Sequence, residues 1–375
     1  MKAEKIHVVM PPDVQNNGST GLLDRNLCAA LESAFSRRED GTENHTENAW
    51  YTIAEGKTLV RASGRPLKQA FDGPLMHLRD REKGDVEVQL KVNVLDRRRS
   101  ADPYILEALE SQMDAKGSAC TSEDGRFIAH RTPHILTCFD RKHRHILAWI
   151  SDVDELLIYE RSRPFYFSLL LWCHDRNLQV VHAGLVALKN RGVLLAGMGG
   201  AGKSTVALTC LCAGWTFLSD DYVAVEEAAG GAFVGHSLYS SSHLAPDHLP
   251  RFPHLARHAL HGNTPQEDKC LVYLGMLFPD LLARSIPISA IALPVVKEME
   301  GARIQPVSKA EAFLALAPSS MAMLPLPTKK RMDRMAALVE RVPCFRLEVG
   351  PDLNAIPPAV QEIISASEKA WNHRS

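Results

Sequence analysis

Three groups of residues in this chain have the types and spacing to do chemistry together. Gly197-Met198-Gly199-Gly200-Ala201-Gly202-Lys203-Ser204 reads G-x-x-x-x-G-K-S. Glycines let successive backbone N–H groups curve around a chain of phosphates, and a lysine at that spacing reaches the outer phosphates. The serine hydroxyl is an oxygen ligand for Mg²⁺. Asp220 and Asp221 are adjacent carboxylates at the end of an apolar run. One can serve a metal ion while the second takes a hydroxyl proton, although Ser219-Asp220-Asp221 could also be a plain turn or helix cap. His182 stands alone in Val180-Val181-His182-Ala183-Gly184-Leu185-Val186. By itself a strand histidine is usually a satisfied core residue and only less often a catalytic one.

The elements that must position these residues are legible around them. Gly192 to Ala196 is a short apolar run that predicts a buried strand feeding the glycine loop. Lys203 to Cys212 predicts a helix, with Gly214 as its stop. The helix N-terminus adds partial positive charge where an anion would sit. Gln179 to Leu188 predicts the strand that carries His182. The run 215–219 predicts a strand ending at the two aspartates, and ligands in open α/β sheets gather at the carboxyl ends of strands. Further along, the patterns predict a strand over 288–296, helices over 310–316, 329–341 and 357–371, and a strand over 344–349. Pro318, Pro325 and Pro327 suggest an exposed loop.

Before residue 165 the signals are mostly those of strands. Val86, Val88, Leu90, Val92 and Val94 alternate with polar residues, and 126–130 and 146–150 are further candidates. A helix is expected over 105–113, helix-like spacing runs from Gly21 to Phe35, and a short strand is possible over 6–10. Pro164 is placed to open an apolar helix over 165–173. These patterns predict two domains: residues 1–165, a smaller, mainly antiparallel, half-buried α+β domain for substrate docking or oligomerisation, and residues 166–375, a mixed-sheet α/β domain with the phosphate loop.

The 375 residues carry a formal net charge of −1, which gives no electrostatic reason to expect a nucleic-acid partner. The basic clusters Arg97-Arg98-Arg99 and Arg141-Lys142-His143-Arg144-His145 are typical of solvated turns, and less often of polyanion sites. No run has the ~18 apolar residues of a membrane span, and the first residues lack the apolar core of a signal peptide. The eight cysteines are scattered without a C-x-x-C pair, which suits free thiols in a cytoplasmic protein. His254, His258 and His261 have helical spacing, but Arg251, Pro253 and Arg257 around them indicate a solvated basic segment rather than a metal site.

Taken together, His182-Ala183-Gly184, the strand over 192–196, the loop 197–204 and Leu218-Ser219-Asp220-Asp221 resemble the catalytic domain of bacterial HPr kinase/phosphorylase. That domain belongs with the phosphoenolpyruvate carboxykinase-like nucleotide-binding folds. The match is closest over 178–226. It implies an ATP- and Mg²⁺-dependent kinase acting on a serine hydroxyl, with a nucleotide and a serine-bearing protein or peptide as partners. Gly197, Gly199, Gly200, Ala201, Gly202, Lys203, Ser204 and Thr205 would hold the triphosphate. Ser204 and Asp221 would organise Mg²⁺, Asp220 would accept the hydroxyl proton, and His182 would sit beside the transferred group. Lys269 is a candidate second cation on the γ-phosphate, or else a surface lysine in a charged turn. The resemblance also implies a homo-oligomer. A Gly- and Ile-rich signature found downstream in that family, tied to phosphorolysis and to HPr itself, has no counterpart here. The chain looks like a divergent relative, similar to kinases that phosphorylate a precursor peptide. A small-molecule kinase, or a binding protein gated by nucleotide, are the alternatives.

Overall fold

The structure, a computed structural model, describes residues 21–39, 47–80, 87–116, 118–262, 264, 267–324, 326 and 328–372. The expected strand over 6–10, most of the polar loop before Trp50, and Pro325 and Pro327 lie outside these. The chain is mixed α/β and divides into two compact units. Of the described residues, those from Gly21 to Arg176 together with Tyr239–Pro279 form the first, and Asn177–Leu238 together with those from Asp280 to Asn372 form the second. The apolar helix Tyr166–Asp175 therefore belongs to the first unit rather than opening the second. Leu169 to Cys173 are buried, and the helix packs against strands Phe127–Arg131 and Ile135–Asp140.

The first unit is built on a nine-stranded sheet. Its spatial order is Gly21–Leu22, Ala119–Thr121, Phe127–Arg131, Ile135–Asp140, His145–Ile150, Leu90–Asp96, Gly56–Ala62, Glu47–Ile53 and Arg79–Asp80. Antiparallel hairpins were the expectation, but the sheet is mixed. Leu90–Asp96 runs parallel to both of its neighbours, and Gly21–Leu22 runs parallel to Ala119–Thr121. Parallel pairing needs crossovers, and Arg65–Leu75 and Pro103–Lys116 lie in the connections that provide them. Nor is the sheet half-buried throughout: every residue of Ile135–Asp140 and His145–Ile150 is buried. The period-two alternation begins too early, since the strand starts at Leu90.

The segment Tyr239–Pro279 is stitched into this unit by backbone acceptors. Tyr239 Oη donates to Pro164 O at 2.8 Å, Ser241 Oγ to Ser162 O at 2.7 Å, and Ser240 N to Pro74 O at 2.8 Å. Tyr273 fills the space beside Gly73, where a Cβ would lie 2.8 Å from the ring. Strands Ser241–Leu244 and Cys270–Tyr273 pair antiparallel within the segment.

The second unit contains β1 (Gln179–Leu188), β2 (Arg191–Ala196), α1 (Lys203–Cys212), β3 (Thr216–Ser219), β4 (Tyr222–Glu227), β5 (Phe233–Ser237), β6 (Ser285–Val296), β7 (Ala302–Pro306), α2 (Lys309–Ala322), α3 (Thr328–Arg341), β8 (Cys344–Val349) and α4 (Ile356–Asn372). β1 and β6 are long enough to serve two sheets. One has the order β3-β1-β2-β6-β8-β7, and the other has the order β1-β4-β5-β6. Val181, Ala183, Leu185 and Ala187 of β1 point into a core shared with α2 and α3. By the two-residue period of a strand, His182 and Gly184 face the opposite side, where α1 packs on β1 and β3. Pro318 does not break a loop open. It sits exposed inside α2, on the solvent face, where losing one backbone hydrogen bond is tolerated.

His145 is a buried titratable group with a clear consequence. Its Nε2 donates to Asn93 Oδ1 at 2.7 Å, its Nδ1 is buried without a partner among the described residues, and the residue is 1% exposed. Burial, reinforced by Lys91, pushes its pKa down to about 3. The unfolded chain therefore binds a proton below the ordinary histidine range that the folded chain refuses, so stability falls as pH falls. Between pH ~6 and ~4 this residue should remove about 1.4 kcal/mol of unfolding free energy per pH unit. Denaturant titrations of wild type and His145→Gln should show a pH dependence shallower by that amount in the variant, with a remainder from other groups such as His130, whose pKa burial lowers to about 4.

Candidate functional site

The glycine loop joins β2 to α1 through backbone that only glycine adopts easily. Gly197, Gly200 and Gly202 have φ of 155°, 80° and 99°. A Cβ at Gly199 or Gly200 would meet nothing within 4 Å, so this side of the loop is open, and Met198, Gly199 and Gly200 are exposed. Gly202 occupies the N-cap of α1, and no side chain caps the helix there. The first amides of α1 thus lack the usual side-chain acceptor. At the other end α1 stops at Gly214, whose φ is 84°. Gly214 N donates to Leu211 O at 2.9 Å and Trp215 N to Cys210 O at 3.0 Å, the pair of bonds that defines a Schellman stop.

Lys203 is 6% exposed, and its Nζ donates to Gly197 O at 2.8 Å and Met198 O at 3.1 Å. A buried ammonium needs such oxygens, and here the loop itself supplies them. Ser204 and Thr205, on the first turn of α1, are half-buried.

Register about β1 brings the other groups to this end of the sheet. On one edge Ala183 pairs with Ala196, the last residue before the loop. On the other edge Leu185 pairs with Ser219 and His182 with Tyr222, so Asp220 and Asp221 fall beside Ala183 and Gly184. Loop and aspartates are therefore two strand spacings apart, about 10 Å across the backbone. Gly184 allows the approach: a Cβ there would lie 3.3 Å from Asp220 Cα and from Ser219 O.

The turn between β3 and β4 is held by Ser219, 5% exposed, whose Oγ accepts from Asp221 N at 3.1 Å and Tyr222 N at 3.0 Å. The plain-turn reading of Ser219-Asp220-Asp221 therefore describes the local backbone. Asp220 is 3% exposed. Asp221 is more open and receives His182, Nε2 to Oδ1 at 2.8 Å. His182 also stacks on Tyr222, with ring centroids 5.5 Å apart, and its backbone N donates to Ser320 Oγ at 3.0 Å.

The sequence did not reveal the His182–Asp221 pair, the Tyr222 stack or the Ser219 and Ser320 acceptors. All but the Ser219 bonds depend on strand and helix neighbours distant in sequence. The one legible signal was a serine just before two aspartates, a common turn composition. Lys269 lies in the other compact unit and is exposed. His254, His258 and His261 are exposed, and among the described residues no three His, Cys, Asp or Glu side chains gather as a metal cluster.

A family model described as "SynChlorMet cassette protein ScmC" matches residues 166–254, a minor part of the chain that spans β1, the glycine loop, α1 and both aspartates. No curated protein matches the sequence. A solved structure, the Hpr(Ser) kinase/phosphatase from Coxiella burnetii, is 11% identical and covers 52% of this chain and 99% of its own, with a TM-score of 0.28. A likeness that slight carries no weight for activity.

Ser219→Ala would strip the acceptor from two backbone donors, one of them buried. The expected cost is about 1–3 kcal/mol of unfolding free energy, read as a lower denaturation midpoint with an unchanged m-value. An unchanged midpoint would mean the turn is held by other contacts.

Proposed function

We propose that this chain is an ATP- and Mg²⁺-dependent phosphotransferase that moves the γ-phosphoryl group to a serine hydroxyl of a protein or precursor peptide. The observation that carries the proposal is the register about β1. It sets a strand–glycine loop–helix unit on one edge and a two-carboxylate turn on the other, with His182 between them.

The residues fit the groups they would hold. Exposed glycine backbone and the uncapped start of α1 suit a triphosphate. Ser204 with one carboxylate suits Mg²⁺, which keeps most of its ligands as water. When bound, the cation would neutralise charge on the phosphate oxygens. Lys203 would exchange a loop carbonyl for a phosphate oxygen and stabilise charge that develops during transfer. Asp220 would accept the proton of the attacking hydroxyl. Asp221, whose Oδ1 lies 2.8 Å from His182 Nε2, would have its other oxygen to offer the cation, and the bond to His182 would hold the imidazole in place. Phosphoryl transfer asks little covalent chemistry of a protein, so positioning and charge carry the rate.

The test is transfer of labelled γ-phosphate from Mg·ATP to HPr, to serine-bearing peptides and to free serine, offered separately. Lys203→Ala should lose both ATP affinity and transfer. Asp220→Asn should cut transfer by about 10²–10⁴-fold while ATP affinity holds. Tight ATP binding without transfer to any acceptor would instead favour a nucleotide-gated binding protein. Equal loss of binding and transfer in Asp220→Asn would remove its role as base.

A further inference from the structure

The second unit carries a group of cations that the proposed phosphotransfer does not use. Lys329, Lys330 and Arg334 lie on the first turns of α3, the two lysines exposed and Arg334 half-buried. None of the three makes an ion pair among the described residues, and the neighbouring Asp333 meets none of them. Other arginines of this unit do find carboxylates: Arg303 pairs with Glu348, Arg341 with Glu227 and Arg346 with Glu311.

Lys330 and Arg334 converge instead on one neutral oxygen. Asn177 Oδ1 accepts from Lys330 Nζ at 3.2 Å and from Arg334 Nη2 at 2.6 Å. The two cations stand one helical turn apart, a like-charge spacing that costs helix stability. Burial lowers the Arg334 pKa and no carboxylate offsets it, whereas Glu311 raises that of Arg346. An asparagine oxygen carries no charge to neutralise two cations, so the patch lacks a counter-charge of its own.

Hydrogen bonds tie this patch to the candidate site. Arg331, 2% exposed, donates from Nη1 to Leu324 O at 2.9 Å and to Met321 O at 3.2 Å, and from Nη2 to Ser320 O at 2.7 Å. Ser320 Oγ in turn accepts from His182 N at 3.0 Å. A single residue of α2 therefore links the first turn of α3 to the strand position of His182. Asn177 precedes His182 by five residues, a reach of at most about 17 Å. It lies beyond the start of β1, at the end of the sheet that holds the glycine loop and the aspartate turn.

We propose, taking the phosphotransferase reading as given, that this patch binds acidic side chains of the serine-bearing acceptor. An extended peptide covers the interval between His182 and Asn177 in about five residues, which sets the spacing from serine to acid. The partner is an acidic peptide rather than a nucleic acid, because three cations on a chain of formal net charge −1 make no broad positive field.

The test uses the full chain and serine peptides with a pair of glutamates about five residues before or after the serine, each beside its glutamine counterpart. Anisotropy without ATP, on forms with alanine in place of the serine, should show one glutamate peptide binding about tenfold tighter than its counterpart, and less so as salt rises. Lys330→Gln, at an exposed position, should lose part of that preference with the thermal midpoint unchanged, and Lys330→Gln with Arg334→Gln should erase it. With Mg·ATP the double variant should raise KM for the glutamate peptide about tenfold and leave kcat unchanged. Equal binding of glutamate and glutamine peptides on both sides of the serine, or a preference that survives the double variant, would overturn the proposal. So would a short single-stranded DNA that binds as tightly as the glutamate peptide and is lost in the same variant. Transfer to glutamate and glutamine peptides alike would leave the phosphotransferase reading standing and remove the docking surface. Glutamate-dependent binding with transfer to neither would do the reverse.

Discussion

β1 hydrogen-bonds along both edges, and the arrangement of the candidate site follows from how those two ladders are registered. A slip of one residue on either edge would turn His182 into the α2–α3 core and bring Ala183 out in its place. The pairing is well defended against that slip. Val181, Ala183, Leu185 and Ala187 bury one face completely, and a one-residue shift would exchange them for His182 and Gly184. Hydrophobic burial in the core therefore determines where a polar histidine and two carboxylates meet.

What the sequence made legible was local. The glycine loop, the strand before it, α1 and its stop are written in contiguous residues, and β1, α1 and β8 have the bounds their patterns predict. Backbone needs of that kind, φ above zero at Gly200, Gly202 and Gly214, leave glycine at the position. The pairing of His182 with Asp221 was not legible, because it depends on Tyr222 lying opposite His182 across a ladder. Pro318 misled for the same reason: an exposed position on a long helix tolerates proline, and exposure is a tertiary fact. In the first unit, parallel pairing of Leu90–Asp96 was hidden because short apolar strands look alike whichever way their neighbours run.

The two units use buried polar groups differently. In the second unit Lys203, Ser219 and Asp220 cluster near one end of the sheet, and Lys203 and Ser219 are met by backbone groups of their own loop or turn. In the first unit Asp140, Asn93 and His145 sit between strands, where they fix the 140–145 turn and the inner sheet. The same low-dielectric burial thus shapes a loop in one unit and anchors a turn in the other.

The placement of Tyr239–Pro279 with the first unit has a consequence for how the polypeptide is assembled. The excursion leaves after β5 and returns before β6, where His236 already pairs with Ser285 and Ser237 N bonds Arg284 O. Its ends are therefore held side by side, and a surface insertion closed in that way carries little entropic burden. On the ribosome, however, the first unit lacks its final piece until residue 279 has emerged, after the glycine loop and both aspartates have been synthesised. Neither unit is a contiguous stretch of gene. Cutting the chain at Arg176 would yield a fragment missing part of its fold and a remainder carrying a segment with nowhere to pack.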